Sequence, residues 1–123
     1  MNLEPKESVI QKHILFYLGY SKDVVPVFWR QNAGAVKTEN RFVKLGKAGV
    51  SDIIGMLWDG RFLAIEVKTP KRRTKVTQAQ QTFLDNVNKA GGVGFVACDV
   101  DEVKDKLNQL RRDSGIELQP IKI

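Results

Sequence analysis

An α/β fold with the element order α-β-β-β-α-β-α is predicted by three observations. Apolar residues recur at helical spacing near the N-terminus, over 77–90 and over 100–110. Asp59-Gly60 separates two apolar runs, and an Asp-Gly pair readily supplies the positive φ that a tight hairpin needs. Gly91-Gly92 stops one helical pattern and is followed at once by the continuous apolar run Val93 to Cys98, as in a strand buried on both faces.

In chain order, Pro5 to Leu18 reads as a helix with Val9, His13 and Phe16 in one row, Ile10, Ile14 and Tyr17 in the next, and Gly19 as its C-terminal cap. Val25 to Arg30, rich in Val, Phe and Trp, predicts a strand before the turn-prone Asn32-Ala33-Gly34. The basic stretch that follows leaves room for a further short strand near Arg41 to Leu45, which is not counted in that order. Asp52 to Trp58 and Arg61 to Thr69 form the antiparallel hairpin. Thr77 to Ala90 is a helix with Phe83, Leu84, Val87 and Ala90 inward, and Val100, Val103, Leu107 and Leu110 mark a last helix capped by Asp99 or Asp101. The tail carries Ile116, Leu118, Ile121 and Ile123 in alternation, an edge strand or a partner contact.

The 123 residues, 42% hydrophobic, suit one domain spanning 1–123 with a core that needs no disulfide or metal staple. Cys98 is the only cysteine, so an internal disulfide and a thiolate zinc site are excluded. No stretch approaches the roughly 18 apolar residues of a membrane span, and a cytoplasmic location is expected. The formal net charge is +6, which favours polyanions, nucleic acid or an acidic membrane. His13, the lone histidine, falls in an apolar helical pattern and reads as a packed or surface residue rather than a ligand or base.

Three polar residues stand where a sheet ordinarily takes apolar ones. Asp52 opens the first hairpin strand, and Glu66 and Lys68 interrupt Leu63-Ala64-Ile65-Glu66-Val67-Lys68-Thr69. Alternation puts Glu66 and Lys68 on one face, with Leu63, Ile65 and Val67 on the other. Carboxylates suit a hard divalent cation such as Mg²⁺, and a lysine two residues along the same face can hold a water or a phosphate oxygen, a set fit for metal-assisted phosphodiester hydrolysis. The competing interpretation is a solvent-exposed strand face with a weak surface ion pair. Gly46-Lys47-Ala48-Gly49-Val50-Ser51, basic and glycine-rich, leads into Asp52 where backbone can approach a phosphate; it lacks the Walker A spacing.

A shared site also requires a particular register. A two-residue Asp59-Gly60 turn pairs Trp58 with Arg61 and Asp52 with Val67, which turns Asp52 away from Glu66. A three-residue loop with a Gly60 bulge pairs Asp52 with Lys68 and restores a common face, so a bulge or longer turn is expected. Glu7 lies on the row of Ile10 and Ile14, either as an inward carboxylate or as a favourable acid at a helix start. Gln80 faces inward, yet Thr77-x-x-Gln80 is also a capping box.

Taken together, Glu7-Ser8-Val9-Ile10-Gln11, Trp29-Arg30-Gln31-Asn32-Ala33-Gly34, Gly49-Val50-Ser51-Asp52, Ile65-Glu66-Val67-Lys68, Thr77-Gln78-Ala79-Gln80 and Ala90-Gly91-Gly92 resemble VRR-NUC domains of the PD-(D/E)XK superfamily over about residues 7 to 105. The resemblance implies the restriction-endonuclease-like fold, an αβββαβ core with a mixed central sheet flanked by helices. It implies a Mg²⁺- or Mn²⁺-dependent DNA endonuclease, with metal held by Asp52, Glu66 and the Val67 carbonyl, Lys68 beside the attacking water, and Gln80 and Glu7 completing the site. Trp29-Arg30-Gln31-Asn32 departs from the Arg-Asn-Asn commoner in related domains. The superfamily includes Holliday-junction resolvases, which makes branched DNA a candidate substrate and a homodimer, joined through the apolar tail and last helix, the expected assembly. Arg30, Lys47, Lys71, Arg72, Arg73 and Lys75 are the basic residues expected near phosphate. A non-catalytic DNA-binding module and an accessory subunit active only with a partner are the alternatives.

Overall fold

The computed structural model describes residues 4–31, 35–37, 42–44 and 48–115. Gly46, Lys47, Asn32 and the tail 116–123 lie outside them, and with the tail go the main contacts expected of a homodimer. The chain runs α1 (Glu7–Gly19), β1 (Val27–Arg30), β2 (Ala35–Lys37), β3 (Phe42–Lys44), β4 (Ile53–Met56), β5 (Phe62–Val67), α2 (Gln78–Lys89), β6 (Val93–Ala97) and α3 (Val100–Asp113), with a short 3₁₀ turn at Pro70–Arg72. The main sheet has the order β1-β4-β5-β6, antiparallel except for the parallel β5–β6 pair, while β2 and β3 form a separate two-stranded ribbon. The fold is therefore α/β with a mixed sheet, as predicted. The strand β2 is not legible in the sequence, because three residues, Ala-Val-Lys, carry too little pattern to separate from a loop.

Strand alternation sorts the core into two layers. Ile53, Leu63, Ile65 and Val67 are fully buried on the face that meets Ile14, Tyr17 and Leu18 of α1 and Val103 and Leu107 of α3. Each such aliphatic side chain contributes about 1.5–3 kcal/mol on burial, so this face supplies most of the stability of the sheet. The other face is thinner, with Ile54, Ala64 and Leu84 of α2 forming a smaller cluster. The thin layer carries the polar residues of interest.

Helix ends follow local chemistry. Thr77 and Gln80 form a complete capping box on α2, and the Asp99 carboxylate accepts from the Glu102 N–H at 2.8 Å to start α3. Gly91, at φ +93°, turns the chain out of α2. Gly19 does not cap α1 in a left-handed conformation; the helix passes through it and ends at Tyr20, φ −96°. In α1 the row Ile10, Ile14, Tyr17 is buried, and Val9, His13 and Phe16 face solvent. Strand β6 is an edge strand paired only with β5, so its middle residues are half-buried rather than enclosed on both faces. Ala90, expected inward, is exposed at the end of α2.

The hairpin has the longer turn that a shared site requires, but the shift runs in the opposite sense. Met56 pairs with Phe62, and Leu57 donates to the Arg61 carbonyl at 2.9 Å, leaving Trp58, Asp59 and Gly60 as a three-residue loop with Gly60 at φ +91°. Continued beyond Ile53–Ile65, this register puts Asp52 opposite Glu66 instead of Lys68. Parity is what matters, and opposed residues share a face.

Candidate active site

Asp52, Glu66 and Lys68 meet where β4 begins and β5 ends. The Val67 N–H donates to Asp52 Oδ2 at 2.7 Å, which fixes the aspartate against the neighbouring strand. Lys68 Nζ lies 3.8 Å from Glu66 Oε1, too far for a direct hydrogen bond and near enough for a shared water. Glu66 is 2% exposed and Lys68 7%, which removes the surface ion-pair interpretation. Lys68 is held from behind as its N–H donates to the Ala97 carbonyl of β6.

Burial, then the neighbouring Asp52 charge, push the Glu66 carboxyl up to about 8, against the opposing pull of Lys68. Glu66 Oε2 is buried and has no hydrogen-bond partner, an arrangement that costs about 1–3 kcal/mol unless something binds it. Ser51 Oγ and Thr69 Oγ1, in the two segments that carry the site, are in the same condition. Two close carboxylates, one with an unsatisfied buried oxygen, fit a hard divalent cation. Among the described residues no group of three or more His, Cys, Asp or Glu gathers, so the remaining oxygens around such an ion would be backbone carbonyl, water and substrate, as Mg²⁺ commonly accepts.

A raised carboxyl pKa fixes the sign of the pH dependence. Glu66 contributes stability fully below about pH 4.5 and loses it as pH rises through about 8. The metal-free protein is therefore expected to melt at progressively lower temperature between pH 5 and 8.5. A thermal-melt series in chelator checks this, and a flat profile would mean that Glu66 ionises freely.

The other expected site residues are dispersed. Gln80 is committed to its cap: the Oε1 accepts from Thr77 N–H at 2.9 Å. Glu7 is half-buried at the start of α1 and makes no hydrogen bond or ion pair among the described residues. Its neighbour Glu4 does reach the basic turn after β5, accepting from the Lys71 N–H at 2.6 Å. Lys71, Arg72 and Lys75 are exposed, while Arg73 is ion-paired with Glu102. Arg30 is exposed on the edge strand, and its register with Ile53 starts the side chain from the sheet face opposite Asp52. Gly49 approaches protein rather than a phosphate, since a Cβ there would lie 2.3 Å from the Ala79 carbonyl oxygen of α2. Gln31 escapes sequence reasoning: its N–H donates to the Asp52 carbonyl at 2.7 Å, a bond set by the β1–β4 register, which no local pattern reveals.

A groove lined by Phe62, Phe83, Val87 and Gly92 lies at the turn end of the sheet, about four strand residues from Glu66. Its two charged residues, Asp59 and Arg61, are paired with each other at 2.8 Å, so it offers no chemistry of the kind gathered at Asp52.

A four-stranded mixed sheet with helices on both faces, carrying an Asp, Glu, Lys set on its central hairpin, defines a restriction-endonuclease-like α/β protein. The VRR-NUC domain family model matches residues 19–102, more than half of the chain, and the chain belongs to that family. The match includes Asp52, Glu66, Lys68 and Gln80 and leaves Glu7 outside. Membership gives a nuclease-type, DNA-processing function in a family typically dependent on divalent metal. A search of curated proteins finds no match. Among the described residues no helix is long and apolar enough to cross a membrane.

Proposed function

We propose that the chain is a Mg²⁺- or Mn²⁺-dependent DNA endonuclease with Asp52, Glu66, the Val67 carbonyl and Lys68 at its centre. The observation that carries this is the buried Glu66 across from Asp52, with one carboxylate oxygen unsatisfied. A divalent ion bound there would supply positive charge that acidifies water and offsets the charge of the phosphate. Asp52, pinned by the Val67 N–H, presents its carboxylate without reorganising. The Lys68 ammonium, beside Glu66, orients the attacking water or donates to a non-bridging phosphate oxygen as negative charge grows on it. Gln80, committed to the Thr77 cap, contributes by positioning the start of α2 against the Gly49 loop, and Glu7 makes no hydrogen bond to the three central residues among the described residues.

DNA approaches over the basic turn after β5. Lys71, Arg72, Arg73 and Lys75 are exposed in the turn that follows the strand carrying Glu66 and Lys68. Neutralising Lys71, Arg72, Arg73 and Lys75 together is expected to weaken DNA binding and reduce its salt slope by up to about 3–4, close to 0.9 for each phosphate no longer neutralised; filter binding across a salt series measures both, and an unchanged slope would make the run bystander surface. A homodimer acting on branched DNA is the assembly proposed for this centre, and sedimentation at micromolar concentration tests the dimer.

The reaction itself is tested with a panel of plasmid, linear duplex, splayed-arm and four-way DNA. Cleavage is expected with Mg²⁺ or Mn²⁺ and is expected to vanish with chelator. Undiminished cutting after exhaustive chelation would remove the metal from the mechanism.

A further inference from the structure

Val27, Trp29, Met56 and Phe62 are each 44–47% exposed, and the strand register gathers them on one face of the sheet. Val27 opposes Met56, Met56 opposes Phe62, and Trp29 opposes Ile54, whose partner on β5 is Ala64. Ile54 and Ala64 pack with Leu84 of α2, so this is the face on which Asp52 and Glu66 also stand. Helix α2 packs mainly on β5 and β6, and beyond Ile54 the side chains of Val27, Trp29 and Met56 stay about half exposed.

Trp29 differs from its neighbours in being fixed. Its Nε1–H donates to Gln31 Oε1 at 2.8 Å, and the Gln31 N–H donates to the Asp52 carbonyl at 2.7 Å. The polar edge of the indole is satisfied, its orientation is tied to the strand that carries Asp52, and the ring stays half open to solvent. Trp29 is diagonal to Asp52 across the β1–β4 pair, an offset of about 7–8 Å that aromatic side chains span.

The geometry points to Trp29 as a stacking platform for an unpaired nucleobase next to the scissile phosphate at the proposed Asp52–Glu66 metal centre. This rests on the proposed nuclease centre and extends it to substrate choice. Trp29 stands on the same sheet face as Asp52 and Glu66, and the chain's net charge of +6 draws a nucleic acid strand to it. A base within a duplex must first unstack to offer its face, whereas one in a frayed, branched or single-stranded segment offers it at once. Stacking of one base on an aromatic ring is worth about 5- to 150-fold in affinity, so Trp29 would favour DNA with unpaired nucleotides at the cut.

The test uses the full chain with Trp58→Phe, which leaves Trp29 as the sole tryptophan, and Glu66→Gln to prevent cutting during binding. Splayed-arm DNA is expected to quench Trp29 fluorescence on binding. Trp29→Ala is expected to lower splayed-arm affinity about 5- to 150-fold and to reduce the ratio of splayed-arm to blunt-duplex affinity, and Trp29→Phe to restore most of both. Binding without quenching, or equal losses on the two DNAs with Phe no better than Ala, would overturn the assignment. So would a fall in the sedimenting mass of the free protein on Trp29→Ala with the affinity ratio unchanged, which would make the face an interface between copies of the chain. Wild-type cleavage of the DNA panel separates the two levels: no cutting of any substrate overturns the nuclease reading, and cutting without a Trp29 effect overturns this assignment alone.

Discussion

Glu66→Gln is expected to lower DNA cleavage in Mg²⁺ by about 10³-fold or more, the scale on which removing one member of a catalytic unit acts, while making the metal-free protein more stable at pH 8 and above. The two effects have one origin. The ionised carboxylate is buried against Asp52 with an unpartnered oxygen, so it opposes folding once it loses its proton, and the neutral amide of nearly the same shape avoids that cost. A carboxylate retained only for structure would show the reverse, a loss of stability with little change in turnover. Asp52→Asn and Lys68→Ala are expected to lower the cleavage rate on a similar scale, and pairs of these substitutions to add little to the single ones. Gln80→Ala is expected to be milder, because its side chain already serves the α2 cap. Single-turnover cleavage and thermal melts on the same preparations measure both halves, and near-normal cleavage by Asp52→Asn would assign that aspartate to structure.

Gly49→Ala is expected to have the largest effect on stability. The residue sits at φ +82°, where a side chain is strained, and a Cβ would fall 2.3 and 2.4 Å from the carbonyl oxygen and carbon of Ala79, backbone atoms that cannot turn aside. Left-handed strain of about 1–3 kcal/mol adds to overpacking of about 1–3 kcal/mol, which for a domain of this size lowers the melting temperature by about 10 °C or more. Gly60→Ala is the matched control: φ is +91°, but the space beyond is open, so only the backbone strain remains. Because Asp52 lies three residues beyond Gly49, cleavage is expected to fall with Gly49→Ala more than with Gly60→Ala. Melting of Gly49→Ala within about 2 °C of wild type would show that the loop does not seat on α2 in this way.

The parts of the fold that were legible in the sequence are those set by local pattern. The periodicity of α2 and α3, the Thr77–Gln80 box and the Asp59-Gly60 turn each act within a few residues, and each stands where the pattern put it. Glu66 and Lys68 were legible as polar residues in an apolar strand. Their burial was not, since it depends on β6 and α2 closing around them. The pairing of Asp52 with Glu66 hangs on loop geometry at Trp58-Asp59-Gly60, where parity could be reasoned out but the sense of the shift could not. The glycine-rich run through Gly49 suggests close approach to a phosphate, whereas the packing of α2 makes Ala79 what Gly49 approaches. Gln31 and Trp29 depend on how an edge strand aligns with its neighbour, information that exists only between strands.

The pairing of Asp52 and Glu66 around a divalent cation is tested most directly by calorimetric titration of Mn²⁺ into wild type and Glu66→Gln at pH 7, each in two buffers of different ionisation enthalpy. Wild type is expected to bind Mn²⁺ and release most of one proton, because the Glu66 carboxyl, pushed up to about 8 by burial and the Asp52 charge, must ionise to hold the metal. Glu66→Gln is expected to lose both the proton release and most of the affinity. Binding of Mn²⁺ to Glu66→Gln with wild-type affinity would contradict the assignment of this carboxylate pair as the metal centre.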